Sequence, residues 1–478
     1  MKRFARRCRD VETEANSTLE SLTAQEIIGA VQGTLLRGEA DSVITGVSTD
    51  TRTIKQGDLF FALKGNTDGH QFIGTALDGG AAGIIISDEE SIPSDCQAAV
   101  IKVDDVLWAL GDLAGYYRSK FDVRIVGVTG SVGKTTTKEM LASILHLKWK
   151  VLKNILNYNN EIGVPLTLFQ LDRTHEVVVL EMAMRGLGEI RRLAEIAKPS
   201  MGVITNIGMS HIERLGSQGA IAEAKAEVLA ELPSDGIAVL NMEDGYYDVM
   251  TNRYTGKVIS FGSCKGSNVM GTRMKASKDG CQNFTILIEG GAVEVKMPIL
   301  GNHNIYNALA AAAAAIGLGV DLYTVRDGLE SFTSPTMRME LTKSSRGYSV
   351  INDAYNANPA SMLAAIRTLN SMPGYKRKIA VLGDMLELGD YSEKAHRDVG
   401  IAAESTDIHI LVTVGPLAQG IADAAKGAGF PEEAIQSYTN SIEAGQGLKN
   451  QCLKGDAILI KGSRGVKMEE IVKVLLDG

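Results

Sequence analysis

The chain contains, directly behind the short apolar run Ile125-Val126-Gly127-Val128, the stretch Thr129-Gly130-Ser131-Val132-Gly133-Lys134-Thr135-Thr136. Apolar residues at helical spacing follow, so a strand, a glycine-containing loop and a helix are predicted in that order. Backbone N–H groups at the helix N-terminus would face phosphates, Lys134 would offset their charge, and the Thr135 hydroxyl would bind Mg²⁺. The stretch predicts a nucleoside triphosphate site formed by Thr129, Gly130, Ser131, Gly133, Lys134, Thr135 and Thr136.

One detail of this phosphate loop departs from the general pattern. The usual first glycine falls on Val128, and the glycine sits at Gly130 instead. The loop alone does not distinguish a kinase, a GTPase, a motor or a ligase.

Composition narrows the class of protein. A net charge of -8 without a broad basic stripe argues against a nucleic-acid partner, whose phosphates need clustered Lys and Arg. The scattered cysteines lack metal-type spacing and read as reduced thiols, which favours the cytoplasm. The alanine-rich run 308–316 is too short to span a bilayer, so no membrane insertion is expected. Small-molecule partners are predicted.

Hydrophobic patterning divides the chain into an expected disordered tail and three α/β domains. The basic start of the chain precedes no apolar segment, so it is not a secretory signal. We predict a tail at 1–19, an N-terminal domain at 20–105, a central domain at 106–333 and a C-terminal domain at 334–478.

Each of the two larger domains has its own sheet pattern. Alternating strands and helices predict a mostly parallel central sheet, with a hairpin formed by 284–289 and 292–297 at its edge. From Tyr348 the pattern is Rossmann-like and doubly wound. It lacks G-x-G-x-x-G after its first strand, so a nicotinamide dinucleotide is not indicated.

Three polar residues follow or lie near the predicted central strands. Glu181 ends the strand 177–180, from which a carboxylate can reach a Mg²⁺ held at a phosphate loop. His211 could ligate a second cation, although a lone histidine is more often a surface or packing residue. Lys225 lies in a helical stretch, where a solvated surface charge is the ordinary interpretation.

These residues, read together with three further segments, resemble the Mur ligases, ATP-dependent amide-forming enzymes of peptidoglycan synthesis. The segments are 157–165 (NYNNEIGVP), 301–304 (GNHN) and 353–359 (DAYNANP). The family's phosphate loop has the T-G-x-x-G-K-T-T form, which accounts for the displaced glycine. The resemblance runs from about residue 22 to the C-terminus. It implies a UDP-binding N-terminal domain, a central ATPase-like domain and a Rossmann-like C-terminal domain.

Within the family, the chain most resembles the branch that joins D-alanyl-D-alanine to a UDP-N-acetylmuramoyl tripeptide. The segments 48–52 (STDTR), 57–63 (GDLFFAL) and 382–389 (LGDMLELG) carry this closer resemblance. The sibling that adds the third amino acid usually carries an Asp-Asn-Pro-Arg loop, where this chain has 414–417 (VGPL). That sibling is the alternative.

The resemblance implies catalysis through an acyl phosphate, with ATP and two Mg²⁺ ions. Lys134 acts on the phosphates, Thr135 and Glu181 bind the first ion, and Glu181, His211 and a carbamylated Lys225 address the second. The residues implied to contact the nucleotide are Asn302, His303, Asn304, Arg338 and Asp353.

The remaining substrate contacts compete with local structural roles. Polar turn residues of the N-terminal domain would contact the UDP portion, and otherwise would only form turns. Residues before two predicted helices would line the active site, and otherwise would act as caps or turns. The candidates are Ser48, Thr49, Asp50, Arg52, His70, Asn160, Glu161, Tyr355, Asn356 and Asn358.

Two other classes of protein stay open at this point. A folylpolyglutamate synthase-like ligase would share the phosphate loop without needing a UDP-binding domain. A nucleotide-gated binding protein would keep the loop without the ligase geometry. The third residue of the tripeptide, diaminopimelate or lysine, cannot be read from the chain, and a monomer is expected.

Overall fold

The computed structural model describes residues 19–89, 92–94, 96–155, 157–210, 212–277 and 280–477. The predicted tail at 1–19 lies outside these ranges except for Leu19. The chain forms two compact units. The first comprises Met1–Gly127, Trp149–Met184 and Gly188–Ser200, and the second comprises Val128–Lys148, Arg185–Leu187 and Met201–Gly478.

The N-terminal part of the first unit is a small α/β domain. Its five-stranded sheet has the order β2-β7-β6-β5-β4, in which β4 to β7 are parallel and β2 is antiparallel to β7. Strands β1 and β3 form a separate, short antiparallel pair. The elements are β1 (Leu22–Thr23), α1 (Ala24–Val31), β2 (Thr34–Arg37), β3 (Val43–Ile44), β4 (Gly46–Ser48), β5 (Asp58–Phe61), α2 (Ile73–Asp78), β6 (Gly83–Ile86), β7 (Ala99–Lys102) and α3 (Val106–Ser119).

A nine-stranded sheet carries the phosphate loop. Its order is β16-β15-β14-β13-β12-β11-β8-β10-β9, and β8 begins in the first unit and ends in the second. Its strands are β8 (Arg124–Thr129), β9 (Val151–Lys153), β10 (Val177–Glu181), β11 (Met201–Ile204), β12 (Ile237–Asn241), β13 (Lys257–Gly262), β14 (Val269–Ala276), β15 (Gln282–Ile288) and β16 (Gly291–Met297).

The directions of these strands confirm the predicted fold class. Pairs β9/β10, β11/β12, β12/β13 and β13/β14 are parallel. Strands β14 to β16 are antiparallel, with the predicted hairpin β15–β16 at the edge. Helices around this sheet are α4 (Lys134–Leu145), α5 (Gly163–Leu168), α6 (Glu189–Ala197), α7 (Ile212–Leu215), α8 (Gln218–Ala230), α9 (Tyr247–Thr251), α10 (Asn302–Gly317) and α11 (Leu322–Glu330).

Helix α10 packs against both α4 and strands β12 to β14. Every residue from Ala308 to Ala315 is fully buried, and all of them are alanines except Leu309. Small side chains allow close approach of the neighbouring backbones, so this helix brings its polar first turn next to the phosphate loop.

The C-terminal domain has a six-stranded sheet with the order β17-β18-β22-β19-β20-β21. Only the pair β17/β18 is antiparallel, which confirms the Rossmann-like prediction. Its elements are β17 (Glu340–Lys343), β18 (Ser349–Asp353), α12 (Pro359–Ser371), β19 (Arg377–Gly383), α13 (Ser392–Glu404), β20 (Ile410–Val414), α14 (Gln419–Ala428), β21 (Ile435–Tyr438), α15 (Ser441–Lys449), β22 (Asp456–Lys461) and α16 (Glu469–Leu476).

Apolar segments of this sheet, such as 350–351 in β18 and 457–460 in β22, are fully buried.

Within the part of the chain that the structure describes, no helix combines the length and the hydrophobicity that a membrane span needs.

Candidate active site

The phosphate loop connects β8 to α4 through two glycines that the geometry requires. Gly130 has φ of 145°, and a Cβ there would lie 1.9 Å from the Thr205 hydroxyl oxygen. Gly133 has φ of 88°, and its Cβ would lie 2.1 Å from Oδ1 of Asn307. A side chain at either position would clash and strain the backbone, so both predicted glycines are structurally fixed.

The segment after β11 holds this loop in shape. The N–H of Ser131 donates to the Asn206 carbonyl (3.0 Å), and the N–H of Val132 donates to Asn206 Oδ1 (3.0 Å). Thr205 Oγ1 donates to the Val132 carbonyl (2.6 Å). Because Asn206 occupies these two amides, the N–H groups of the first turn of α4 are the ones that can face an anion.

The two principal side chains of the loop both have polar neighbours. Nζ of Lys134 donates to the Gly130 carbonyl at 2.9 Å, so the ammonium folds back over the loop. The Thr135 hydroxyl accepts a hydrogen bond from Nη2 of Arg338 at 3.2 Å. Thr129 and Thr136 are buried, and Oγ1 of Thr129 has no hydrogen-bond partner among the described residues.

Lys225, in helix α8, is buried with an exposure of 2%. The ordinary interpretation, a solvated surface charge, is therefore wrong, because α8 packs this face towards the interior. Burial, with a smaller contribution from the Lys134 charge, lowers the pKa of Lys225 well below its usual value. The amine can thus be neutral at a pH where an exposed lysine is charged. His211, the histidine predicted to bind metal, lies outside the described residues.

Glu181, in the first unit, ends β10 with only 3% exposure. Asn159 donates to its Oε1 (2.8 Å), and Asn154 bonds to both its N–H and its carbonyl (2.9 Å each). Its Oε2 has no partner among the described residues. A buried carboxylate oxygen without a hydrogen-bond partner is suited to binding a cation. Within the described ranges, no group of three or more His, Cys, Asp or Glu is arranged to hold a metal.

The first turn of α10 contains three of the residues expected at the nucleotide. Asn302 is exposed and His303 is half-buried, whereas Asn304 is buried and donates to the Leu300 carbonyl at 2.7 Å. Burial lowers the pKa of His303 to about 4, Asp353 opposes this shift, and Lys461 adds to it. His303 is therefore neutral near pH 7.

Sequence reasoning missed Asn307, which donates to Oδ1 of Asn304 (2.9 Å) and touches Gly133 of the loop. It lies three residues after Asn304, and this i, i+3 spacing on one helix face was the available signal.

Arg338 and Asp353 are held by a short segment with unusual backbone angles. Met337 and Met339, on either side of Arg338, both have positive φ (60° and 51°). The Arg338 guanidinium lies 4.1 Å from the centre of the Tyr355 ring. The Asp353 carboxylate accepts from the N–H of Met339 (3.2 Å), so the same segment positions both residues.

The residues after β18 have local roles as well as positions near the loop. The exposed Asn356 accepts from the N–H of Ala357 (2.9 Å). Asn358 caps α12 in a capping box with Ser361, which bears out the structural alternative, and its Nδ2 also donates to Ser210 Oγ (3.0 Å). A cavity of about 290 Å³ opens beside this contact. Its lining includes Val132, Ser210, Gln218, Asn358, Leu363 and Asp398.

The candidate UDP-binding residues lie in the N-terminal domain and have internal partners. Ser48 bonds to the backbone of Asp50, and Thr49 is half-buried between them. Arg52 forms an ion pair with Asp50 and lowers the pKa of that carboxyl to about 2. The buried His70 ring lies 2.6 Å from Asp68 Oδ1 and accepts from the Ser87 N–H (3.0 Å), so both ring nitrogens are engaged within the domain.

Asn160 and the half-buried Glu161 precede α5. Oδ1 of Asn160 accepts from the N–H of Gly163, the first residue of this helix, at 2.9 Å. Whether these two residues and the N-terminal candidates also contact substrate stays a prediction.

Three family descriptions match the chain in succession. They are "Mur ligase family, catalytic domain" over 43–118, "Mur ligase middle domain" over 128–315, and "Mur ligase, glutamate ligase domain" over 337–464.

Relatives of known name match nearly the whole chain. The UDP-N-acetylmuramoyl-tripeptide–D-alanyl-D-alanine ligase of Bacillus subtilis is 41% identical over 95% of this chain and 98% of its own length. The Escherichia coli enzyme of the same name is 35% identical over 93% of this chain and 97% of its own length.

Solved structures agree with these relatives. MurF from Acinetobacter baumannii has a TM-score of 0.88 at 32% identity, covering 96% of this chain and 100% of that one. MurF from Thermotoga maritima in complex with ADP has a TM-score of 0.81 at 29% identity, covering 90% and 97%. With this extent of similarity and the three successive domain matches, the chain belongs to the Mur ligase family.

Proposed function

We propose that the chain joins D-alanyl-D-alanine to UDP-N-acetylmuramoyl-tripeptide, with conversion of ATP to ADP and phosphate. The observation that carries this proposal is the relationship to an enzyme of that name over 95% of the chain at 41% identity. It includes the N-terminal domain, which a ligase acting on a substrate without UDP would not need.

The reaction begins with activation of the tripeptide. A carboxylate oxygen attacks the γ-phosphorus of ATP, ADP leaves, and an acyl phosphate forms. Lys134 and the first-turn N–H groups of α4 offset the charge that collects on the transferring phosphoryl group. Arg338 supports this role, because its guanidinium already reaches the Thr135 hydroxyl at the end of the loop.

Mg²⁺ would be held by Thr135 and Glu181, and a second ion by Glu181, His211 and a carbamylated Lys225. The unpartnered Oε2 of Glu181 supports this assignment. When bound, the ions would neutralise phosphate charge and polarise the phosphoryl oxygens. Asn154 and Asn159 fix the backbone and Oε1 of Glu181, so that Oε2 stays available.

Carbamylation of Lys225 would supply an anionic oxygen ligand from a residue that is otherwise cationic. A carbamate forms when a neutral amine adds to CO₂ and releases a proton. The burial of Lys225 favours the neutral amine and disfavours an unpaired ammonium. The modification therefore accounts for a lysine in this position.

D-Alanyl-D-alanine would enter through the cavity beside Ser210 and Asn358. Its lining is mainly apolar, which suits two alanine methyl groups, and it reaches Val132 of the phosphate loop. In the second step, the neutral amine attacks the acyl carbon, the bond from that carbon to the phosphate oxygen breaks, and phosphate leaves.

The other substrate contacts follow the family resemblance. Adenine and ribose would lie against Asn302, His303, Asn304 and Asp353. The UDP portion would lie against Ser48, Thr49, Asp50, Arg52 and His70. The muramoyl peptide and dipeptide would approach Asn160, Glu161, Tyr355, Asn356 and Asn358. We propose a cytoplasmic monomer.

The decisive test of substrate class is phosphate release by the purified chain with each candidate acceptor and amine. We expect release only when a UDP-muramoyl tripeptide and D-alanyl-D-alanine are both present. Release with a UDP-muramoyl dipeptide and a single amino acid would instead indicate the sibling activity. Release with a folate and glutamate would indicate a folylpolyglutamate synthase-like activity.

A further inference from the structure

Lys461 ends strand β22 and has an exposure of only 3%, although it lies at the edge where a doubly wound sheet binds ligands. It begins the segment Lys461-Gly462-Ser463-Arg464. The proposed reaction has so far given this lysine no role. A buried ammonium at a ligand-binding edge requires partners, because an unpaired charge is costly in the interior.

Both of its assigned partners come from the neighbouring strand and the turn after it. Lys461 Nζ donates to Asp353 Oδ2 at 2.7 Å and to the Asn356 carbonyl at 2.9 Å. The sheet order places β22 directly beside β18, and Asp353 is opposite Lys461 in the parallel register. The contact is thus built into the sheet and does not depend on a flexible loop.

The pairing fixes Asp353 without using up its acceptor capacity. A carboxylate has about four lone-pair sites. Lys461 takes one site on Oδ2, and the N–H of Met339 takes one on Oδ1. Each oxygen can still accept a hydrogen bond from a hydroxyl or amino group of a nucleoside.

We propose that Lys461 is a positioning residue for the nucleotide, which holds the Asp353 carboxylate in a fixed orientation towards the nucleoside. The inference rests on the proposed function only in assigning Asp353 to ATP. Lys461 itself acts through Asp353 and is not expected to touch the reacting phosphate.

A purely structural role for Lys461 is the competing explanation, and the same sheet offers a control. Lys378 in β19 is also buried, with 8% exposure, and its Nζ donates to the Asn370 carbonyl. It lies towards the opposite end of the strands. Lys378→Met therefore removes a buried lysine and a carbonyl contact without disturbing Asp353.

The test is calorimetric titration of ADP into the full chain and into the variants Lys461→Met, Lys461→Gln, Asp353→Asn and Lys378→Met. We expect Lys461→Met and Lys461→Gln to weaken ADP binding by roughly tenfold or more, as for loss of a charge-assisted contact. Lys378→Met should stay within about twofold of the wild type. Lys461→Met combined with Asp353→Asn should bind no more weakly than Asp353→Asn alone, because the lysine acts through that carboxylate.

Kinetics give a second readout. Lys461→Met should raise the KM for ATP while kcat at saturating ATP falls much less, and Lys461→Gln covers the case in which the methionine variant does not fold. Unchanged ADP affinity in a folded Lys461 variant would overturn the proposal, and so would unchanged affinity in Asp353→Asn. ADP binding is measured without the other substrates, so a chain with another acceptor specificity would still give an answer.

Discussion

The guanidinium of Arg338 donates a hydrogen bond to the hydroxyl of Thr135 at 3.2 Å. Arg338 lies in the segment that leads into the C-terminal domain, and Thr135 lies in the first turn of helix α4. The contact brings a cationic group from the segment before β17 to the phosphate loop, and both residues lie in the second compact unit. The same guanidinium lies over the Tyr355 ring, and this contact fixes the orientation of the guanidinium plane.

Arg338→Ala should lower kcat/KM by about a hundredfold or more, the usual effect of removing one donor to a developing anion. Arg338→Lys should recover little of this loss, because an ammonium neither stacks nor offers a planar pair of donors. Arg346→Ala is the control, since Arg346 lies over the Tyr348 ring but is exposed. Steady-state kinetics with saturating dipeptide measure the effect. Wild-type rates in Arg338→Ala would remove this residue from the mechanism.

Lys134→Ala should reduce turnover far more than nucleotide affinity, because the ammonium matters most when charge moves onto the γ-phosphate oxygens. We expect a loss of kcat of at least about a hundredfold. Lys148→Ala, an exposed lysine after the same helix, is the control. Rapid-quench measurement of ADP formation, combined with ADP titration, separates the two effects. A folded variant with near-normal turnover would contradict the assignment.

Lys225→Ala should abolish most activity, and millimolar formate or acetate should restore part of it by occupying the space of the carbamate oxygens. Glu223→Ala, on the exposed face of the same helix, should need no such rescue. Intact-protein ¹³C NMR after equilibration with labelled bicarbonate should show a carbamate signal that is absent from Lys225→Ala. Full activity of Lys225→Ala, or the same signal in both proteins, would return Lys225 to a packing role.

His303 should titrate with a pKa of about 4, compared with about 6.5 in the unfolded chain. Between these values the unfolded state binds a proton that the native state does not bind, so the native state loses stability as the pH falls from 6.5 through 4. The loss from this residue is roughly 3 kcal/mol at most.

NMR titration of the imidazole, assigned by comparison with His303→Gln, measures this pKa directly. The variant should also show a smaller decrease in thermal stability between neutral pH and pH 5. A His303 pKa near 6.5 would mean that the ring is solvated.

The fold was largely predictable because its central strands are buried on both faces. Continuous apolar runs such as 177–180 and 457–460 have no other stable location, and the phosphate loop fixes the order of strand, turn and helix. Strand β14 was not predicted. Its first half alternates between buried and half-buried residues, but a bulge between Thr272 and Lys275 breaks the pattern, and the charged residues Arg273 and Lys275 are exposed.

The site was predictable where chemistry is local and unpredictable where it depends on packing. The loop residues could be named from their spacing alone. The burial of Lys225 could not be predicted from the sequence, since α8 has no clear polar face. Only its tertiary contacts decide which side chains are covered. The pairing of Asp353 with Lys461 depends on strand order in the sheet, which no local pattern reveals.

The central claim is that the tripeptide carboxylate is activated as an acyl phosphate, and oxygen transfer tests it most directly. The purified chain is incubated with ATP, D-alanyl-D-alanine and UDP-muramoyl tripeptide carrying ¹⁸O at both oxygens of its terminal carboxylate, and the released phosphate is analysed by mass spectrometry. We predict one ¹⁸O atom in each phosphate formed, and an amount of labelled phosphate equal to the amount of amide product. Phosphate without ¹⁸O, formed alongside product, would contradict the account.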